Sequence, residues 1–339
     1  MENLSFLTDY ETPRMVTLDH NLQGAMFRLM KMLPARFMLD RAEERGLLKT
    51  GGHIVETSSG TFAMALAMLS IVHDYRLTII SATTLMDMNF KSRLEQLGAS
   101  VILVDDALRT GNQDGRLARL HQVLEENPGS YWPRQYDNPD NPGSYSRLAE
   151  VIVDKLGRID CLVGCVGSGG SLSGTTRYLQ SLFPAMRTIA IDTNNSVLFG
   201  HPAGPRLLRG LGNSIMPENL DHALIDEVHW VGALQAFRKT RELYETKALF
   251  VGPTSGAAIL VGEWYARHYP DQTVVAIMAD EGNRYQPTVY CDDWLKCQQG
   301  WPPVRLAEPR KLSKSMPAGE ADWTFMRWAQ RSAPMVDRQ

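Results

Sequence analysis

Three stretches of this 339-residue chain gather hydroxyls and glycines where an apolar run gives way to a helical pattern. The longest, Val163–Leu179, reads VGCVGSGGSLSGTTRYL and sets Gly167-Ser168-Gly169-Gly170-Ser171 between a strand-like run and a helix-like one. The first N–H groups of a helix have no intrahelical partner and sit at the positive end of its dipole, so such a turn suits a phosphate. Glycine serves there because a side chain would keep the anion away from the backbone. The same turn can simply pack a helix onto a sheet, and that reading stays open. Glu56-Thr57-Ser58-Ser59-Gly60-Thr61-Phe62-Ala63 has the same form and suits a carboxylate, or is an ordinary N-cap. Phe250-Val251-Gly252-Pro253-Thr254-Ser255-Gly256-Ala257-Ala258 is a third. Three such turns in one α/β chain suggest loops converging at the carboxyl ends of parallel strands.

A dinucleotide-binding reductase competes for the first turn, because Asp192 closes a strand about 20 residues later, where a ribose-binding acid would stand. Its spacing is against it: after Gly167-x-Gly169 the third glycine of the fingerprint falls on Leu172.

The elements that must position these turns follow from periodicity. Strands are expected at Met26–Met30, His53–Glu56, Leu77–Ser81, Ser100–Val104, Cys161–Val166, Thr188–Asp192, Val228–Val231 and Thr273–Met278. Helices are expected at Ala35–Arg45, Phe62–Val72, Met88–Gln96, Asp114–Glu126, Tyr145–Lys155, Ser173–Leu182, Leu234–Tyr244 and Gly256–His268. The alternation predicts α/β architecture with a doubly wound parallel sheet. A turn-rich segment, Asp137-Asn138-Pro139-Asp140-Asn141-Pro142-Gly143, divides the units into a smaller first cluster and a larger second one. From about residue 301 the periodicity fades into a tail with an aromatic patch, Trp323-Thr324-Phe325-Met326-Arg327-Trp328, expected as a solvated extension or a clasp on a partner subunit.

With these motifs in order, the sequence resembles the cysteine synthase/cystathionine β-synthase family of fold-type II pyridoxal-phosphate enzymes, from about Thr12-Pro13 to about Trp294. The resemblance implies the two-lobed, tryptophan synthase β-like fold: residues 35–145 as a smaller mobile lobe for the substrate carboxylate, 1–34 and 146–300 as the larger cofactor lobe, and 301–339 as a C-terminal extension. It implies pyridoxal 5'-phosphate with its phosphate on Gly167, Ser168, Gly169, Gly170 and Ser171, and Ser255 against the pyridine nitrogen. Ser58, Ser59, Gly60 and Thr61 would hold the substrate carboxylate with help from Gln135, and Asp280-Glu281-Gly282-Asn283-Arg284-Tyr285 would lie beside the ring. Lys31 is the candidate Schiff-base lysine, 30 residues before Thr61 and 15 before Gly46. The chain departs from the family pattern here: the segment ahead of Lys31 is shorter by roughly one loop, the Ser-x-Lys-Asp-Arg surroundings are missing, and an alternative alignment places Lys31 on the preceding strand. Thr61 also replaces the usual asparagine that contacts cofactor and substrate.

The implied reaction is cysteine synthase-like β-replacement on an activated serine through an aminoacrylate. Arg209, in Leu207-Leu208-Arg209-Gly210-Leu211-Gly212-Asn213, matches an arginine of phosphoserine-using members, so O-phosphoserine is the expected donor and O-acetylserine the alternative. β-Elimination (a desulfhydrase) and an amine-accepting, diaminopropionate-type synthase remain open, as does a catalytically silent metabolite-binding homologue.

Bulk properties agree with a globular enzyme. Hydrophobic residues make up 44% and charged residues 22%, and 35 Lys+Arg against 38 Asp+Glu give a net charge of -3, which offers no attraction to nucleic acid or anionic lipid. Met1–Asp9 is acidic and lacks the order of a secretory signal, and no apolar run reaches a membrane span, so a cytoplasmic home is expected, while the family resemblance implies an amino-acid biosynthetic enzyme and a homodimer. Cys161, Cys165, Cys291 and Cys297 lack a matching histidine pattern, so no metal is expected. His53, His73, His201, His222, His229, Trp132 and Trp230 read as structural.

Overall fold

A computed structural model describes residues 5–107, 111–301, 306 and 308–328. Met1–Leu4 of the acidic start, and residues 302–305, 307 and 329–339 of the expected extension, lie outside the described residues. In chain order the elements are α1 (Ser5–Glu11), β1 (Arg14–Asp19), β2 (Leu22–Met26), α2 (Met32–Glu44), β3 (His53–Thr57), α3 (Thr61–Val72), β4 (Arg76–Ala82), α4 (Met88–Gln96), β5 (Ser100–Val104), α5 (Gln113–Glu126) and α6 (Asp140–Ser144). There follow α7 (Ser146–Leu156), β6 (Cys161–Cys165), α8 (Gly170–Leu182), β7 (Arg187–Asp192), β8 (Glu227–Val231), α9 (Ala233–Lys247), α10 (Pro253–His268), β9 (Val274–Met278), α11 (Asp292–Lys296), β10 (Arg310–Lys311) and β11 (Trp323–Arg327).

Two compact units result: one from the described residues of Met1–Glu11 and Leu29–Ser144, the other from those of Thr12–Arg28 and Tyr145–Gln339. The first contains a parallel three-stranded sheet, β3-β4-β5. All five residues of β3 and six of the seven in β4 are buried. Helix α3 is apolar almost all round and supplies Phe62, Leu66 and Leu69 to a core shared with Met32, Met38 and Ile79. After α5 the chain returns beside β3, where Tyr131 N–H donates to the His53 carbonyl at 2.7 Å and Val55 N–H to the Tyr131 carbonyl at 2.9 Å.

The second unit is built on an eight-stranded sheet, ordered β1-β2-β9-β6-β7-β8-β11-β10 among the described residues. Strands β2, β9, β6, β7 and β8 are mutually parallel, whereas β1 pairs antiparallel with β2 and β11 antiparallel with β8. Helix α10 is buried along most of its length and packs Ala257, Ala258 and Val261 into the core with Val163, Ala276 and Met278.

Two elements depart from the sequence expectation. The strand expected at Met26–Met30 ends at Met26. Pro34 fits the first turn of a helix, where its missing N–H costs nothing, so α2 begins at Met32 and draws Leu29–Lys31 into a turn closed by Met32 N–H on the Leu29 carbonyl at 2.9 Å. The aromatic patch of the tail is not a solvated extension: Trp323–Arg327 pairs with Val231–Glu227 as a strand of the unit's own sheet. Trp323 is 3% exposed, and burying such a ring favours pairing over solvation.

Candidate active site

The first unit carries Lys31, the Ser58–Thr61 loop and Gln135. Lys31 occupies the N-cap of α2 with helical dihedrals (φ -67, ψ -11), and its carbonyl accepts from Ala35 N–H at 3.1 Å, so it stands on no strand. Burial lowers the amine to a pKa of about 8, against the opposing pull of the Glu56 carboxylate. Ser58–Gly60 runs from β3 to the start of α3, with Gly60 as N-cap and Thr61 as the first helical residue. Ser58 Oγ accepts from Ala63 N–H at 3.2 Å and fixes the loop to the helix, while Ser81 Oγ donates to Ser59 Oγ at 3.0 Å.

Gln135 is 5% exposed and ends the segment that lines β3, close to this loop, and its carbonyl accepts from Asn141 Nδ2 at 2.5 Å. A residue that the motifs did not single out joins the two. Glu56 is 1% exposed, and its Oε1 accepts from Thr57 N–H at 2.8 Å and Trp132 Nε1–H at 3.2 Å. Burial raises its carboxyl to about 7, while the Thr57, Trp132, Gln135 and Arg134 N–H groups pull it down. The signal was present in the sequence, since a carboxylate next to the Ile54-Val55 pair of a buried strand is costly and points to a functional position.

The second unit carries the glycine turn, Ser255, Arg209 and Asp280. Gly167–Ser171 links β6 to α8 with Gly169 as N-cap in the left-handed region (φ +81). A Cβ on Gly169 would come within 2.6 Å of the Leu220 backbone, so only glycine fits. The Arg209–Asn213 turn is held against it: Asn213 Nδ2 donates to the Gly167 carbonyl at 3.2 Å and Gly212 N–H to the Val166 carbonyl at 2.9 Å. Arg209 itself is exposed.

Ser255 lies in the first turn of α10 and is 0% exposed, yet its Oγ has no hydrogen-bond partner. Cys165 Sγ donates to the Thr254 carbonyl at 3.2 Å, tying the end of β6 to the same turn. Asp280 packs against Gly252, where a Cβ would meet its Oδ1 at 2.1 Å, and its Oδ2 accepts from Tyr285 O–H at 2.8 Å. Burial raises its pKa to about 6. The dinucleotide reading gains nothing from Asp192, which is wholly buried and takes its own Thr193 N–H at 2.8 Å.

Comparison with known proteins accounts for this arrangement. Residues 27–280 match the family described as pyridoxal-phosphate dependent enzyme. The chain is similar to an N-(2-amino-2-carboxyethyl)-L-glutamate synthase of Ralstonia nicotianae, 35% identical over 273 residues, covering 78% of this chain and 80% of that one. It is equally similar to a putative cysteine synthase of Sinorhizobium fredii, 35% identical over 306 residues and 87% of each chain. Among solved structures it resembles the O-acetylserine dependent cystathionine β-synthase of Helicobacter pylori, with a TM-score of 0.77, 27% identity, and coverage of 86% of this chain and 100% of that one. The chain therefore belongs to the cysteine synthase/cystathionine β-synthase family of fold-type II pyridoxal-phosphate dependent enzymes.

The second unit's residues fit that cofactor. A buried hydroxyl with no partner costs free energy unless something in the complex pairs with it, and Ser255 Oγ is such an atom. The glycine turn leaves the first N–H groups of the 13-residue α8 open to a phosphate. No helix among the described residues is long and apolar enough to cross a membrane.

Proposed function

We propose that this protein is a β-replacement enzyme that transfers the three-carbon unit of O-phosphoserine to the amine of an amino acid. Bound pyridoxal phosphate supplies an aldehyde that takes up an amine and a ring that accepts negative charge. The protein's own groups do the rest. Gly167–Ser171 binds the cofactor phosphate through backbone N–H groups and the α8 dipole. Ser255 would offer the ring nitrogen a neutral hydroxyl, a hydrogen-bonding partner that cannot fully protonate it. Lys31 holds the cofactor and then moves the substrate α-proton, and a pKa of about 8 leaves part of the amine neutral near physiological pH. The N–H groups of Ser58–Thr61, with Gln135, bind the substrate carboxylate.

The balance is simple. The Cβ–O bond of the donor breaks, phosphate leaves with the bonding pair, a Cβ–N bond forms, and the incoming amine gives up one proton. Arg209 is the proposed partner of the departing phosphate, because its rigid fork of donors matches that anion.

The single observation behind an amine acceptor is the 35% identity, over 78% of this chain, to an enzyme named for joining such a unit to L-glutamate. Sulfide is the second reading, carried by the equal identity to a putative cysteine synthase. Mass spectrometry of the products of O-phosphoserine or O-acetylserine with L-glutamate or sulfide separates them. The expected result is N-(2-amino-2-carboxyethyl)-L-glutamate, or the corresponding adduct of another amino acid, with release of phosphate. Cysteine from sulfide, with no adduct from any amine, would overturn the amine reading.

A further inference from the structure

We propose that Glu56 is a positioning residue of the candidate site, a buried carboxylate that anchors the Trp132–Gln135 turn to the end of β3 and supplies the negative charge that the Lys31 amine faces. The proposal rests on the roles proposed above for Lys31 and Gln135. Its starting point is a cost. An ionised carboxylate taken out of water loses several kcal/mol unless other groups replace the solvent, whereas a valine or isoleucine would fill the same strand position at no such cost. Glu56 is 1% exposed in a strand that is buried throughout, so packing does not explain it.

The local backbone is shaped around the carboxylate. Thr57 N–H and Trp132 Nε1–H both donate to Oε1. Arg134 adopts the left-handed conformation (φ 58) without being glycine, at a cost of about 1 kcal/mol. That conformation aims successive N–H groups at one point, and those of Arg134 and Gln135 face the Glu56 carboxyl and lower its affinity for a proton. Oε2 nevertheless lies outside hydrogen-bonding geometry with all of them. Oε1 is the anchor that ties the Trp132 end of the turn to β3, beside Asn138 Nδ2–H on the Pro133 carbonyl at 2.9 Å and Asn141 Nδ2–H on the Gln135 carbonyl at 2.5 Å.

Three charged or titratable side chains face this carboxyl: Lys31 ahead of α2, Arg116 on α5 and Tyr131 on the segment beside β3. Arg116 is committed elsewhere, with Nε donating to the Gly111 carbonyl at 2.8 Å, and the Arg134 guanidinium pairs with Asp137 at 2.6 Å. The Glu56 carboxylate acts on Lys31 against the effect of burial. Its anion favours the ammonium form, so removing the charge must lower the pH at which the amine loses its proton.

The test compares wild type, Glu56→Gln and Glu56→Asp as full-length protein. The first readout is the pH dependence of Lys31 acetylation by acetic anhydride in protein freed of cofactor, followed by peptide mass spectrometry from about pH 6 to about pH 10. The second is the KM for the serine donor in the loaded enzyme. Glu56→Gln is expected to move the labelling midpoint down by about half a pH unit or more and to raise the donor KM about tenfold, with a smaller change in kcat. Glu56→Asp keeps the charge but withdraws it from the turn, so it should retain the midpoint and not the KM. If Glu56→Gln does not fold, Trp132→Phe, which removes one donor and weakens the anion, should shift both readouts the same way. A midpoint and KM equal to wild type in whichever variant folds would overturn the proposal. A Lys31→Ala enzyme that still turns over would instead overturn the reading on which it rests.

Discussion

Lys31 is half-buried at a helix start with a carboxylate opposite it, and the balance between desolvation and that carboxylate leaves its amine near pKa 8 rather than 10.5. A group poised there can both take and give a proton at working pH, as a general base must. Replacing Lys31 with alanine is expected to lower kcat for O-phosphoserine by roughly a thousandfold or more, read in a coupled phosphate-release assay. Arg209 makes a different prediction, because it concerns the choice of donor rather than the proton. Arg209→Ala should reduce the ratio of kcat/KM for O-phosphoserine to that for O-acetylserine by about 10- to 100-fold, the worth of a charge-assisted contact. An unchanged ratio would remove the phosphate from that position.

At the scale of elements, the protein repeats one device: a strand, a short turn of glycines and hydroxyls, and a helix whose first N–H groups stay open. Gly169 shows how tightly the device is built, since it is left-handed and a Cβ there would also come within 2.6 Å of the Leu220 backbone. Gly169→Ala is expected to weaken cofactor binding about tenfold or more, measured by equilibrium titration of the visible absorbance. These turns were legible in the sequence because three glycine and hydroxyl clusters recur at the ends of apolar runs in one α/β chain, although each alone could merely cap or pack a helix. Strands β4, β6 and β9 were legible because they are buried and carry short runs of apolar residues, Ile79-Ile80, Leu162-Val163 and Val274–Met278. The β1–β2 hairpin and β11 were not, because short strands with polar alternation look like loops until a neighbour pairs with them. Glu56 and Trp132 escaped as partners because their hydrogen bond spans 76 positions, and only the return of the chain beside β3 creates it. The tail is a further case. Trp323 Nε1 can only donate, so His229 Nδ1 accepts it at 2.9 Å and Nε2–H donates to Glu227 at 2.8 Å. Trp323→Ala would leave a cavity and one unpaired buried atom, His229 Nδ1, at a cost of about 3–5 kcal/mol in chemical unfolding.

At the scale of the whole molecule, several buried charges set how stability follows pH. Burial raises Glu56 and Asp192 to about 7 and Asp280 to about 6, so the folded chain keeps these protons after the unfolded chain has lost them. Their contribution is therefore fully present at low pH and is lost as pH climbs from the ordinary carboxylate range towards 7. Lys31 has the opposite sign, because the unfolded amine stays charged above the folded value of about 8, so its contribution grows as pH rises beyond that point. Thermal unfolding of Asp192→Asn should show a shallower decline between about pH 4 and about pH 7 than wild type. Every scale of the account returns to one amine, and the direct test is to trap it. Reduction of the purified yellow enzyme with borohydride, followed by proteolysis and mass spectrometry, should find the pyridoxyl group on the peptide that contains Lys31. A pyridoxyl group on any other lysine, or on none, would contradict the account.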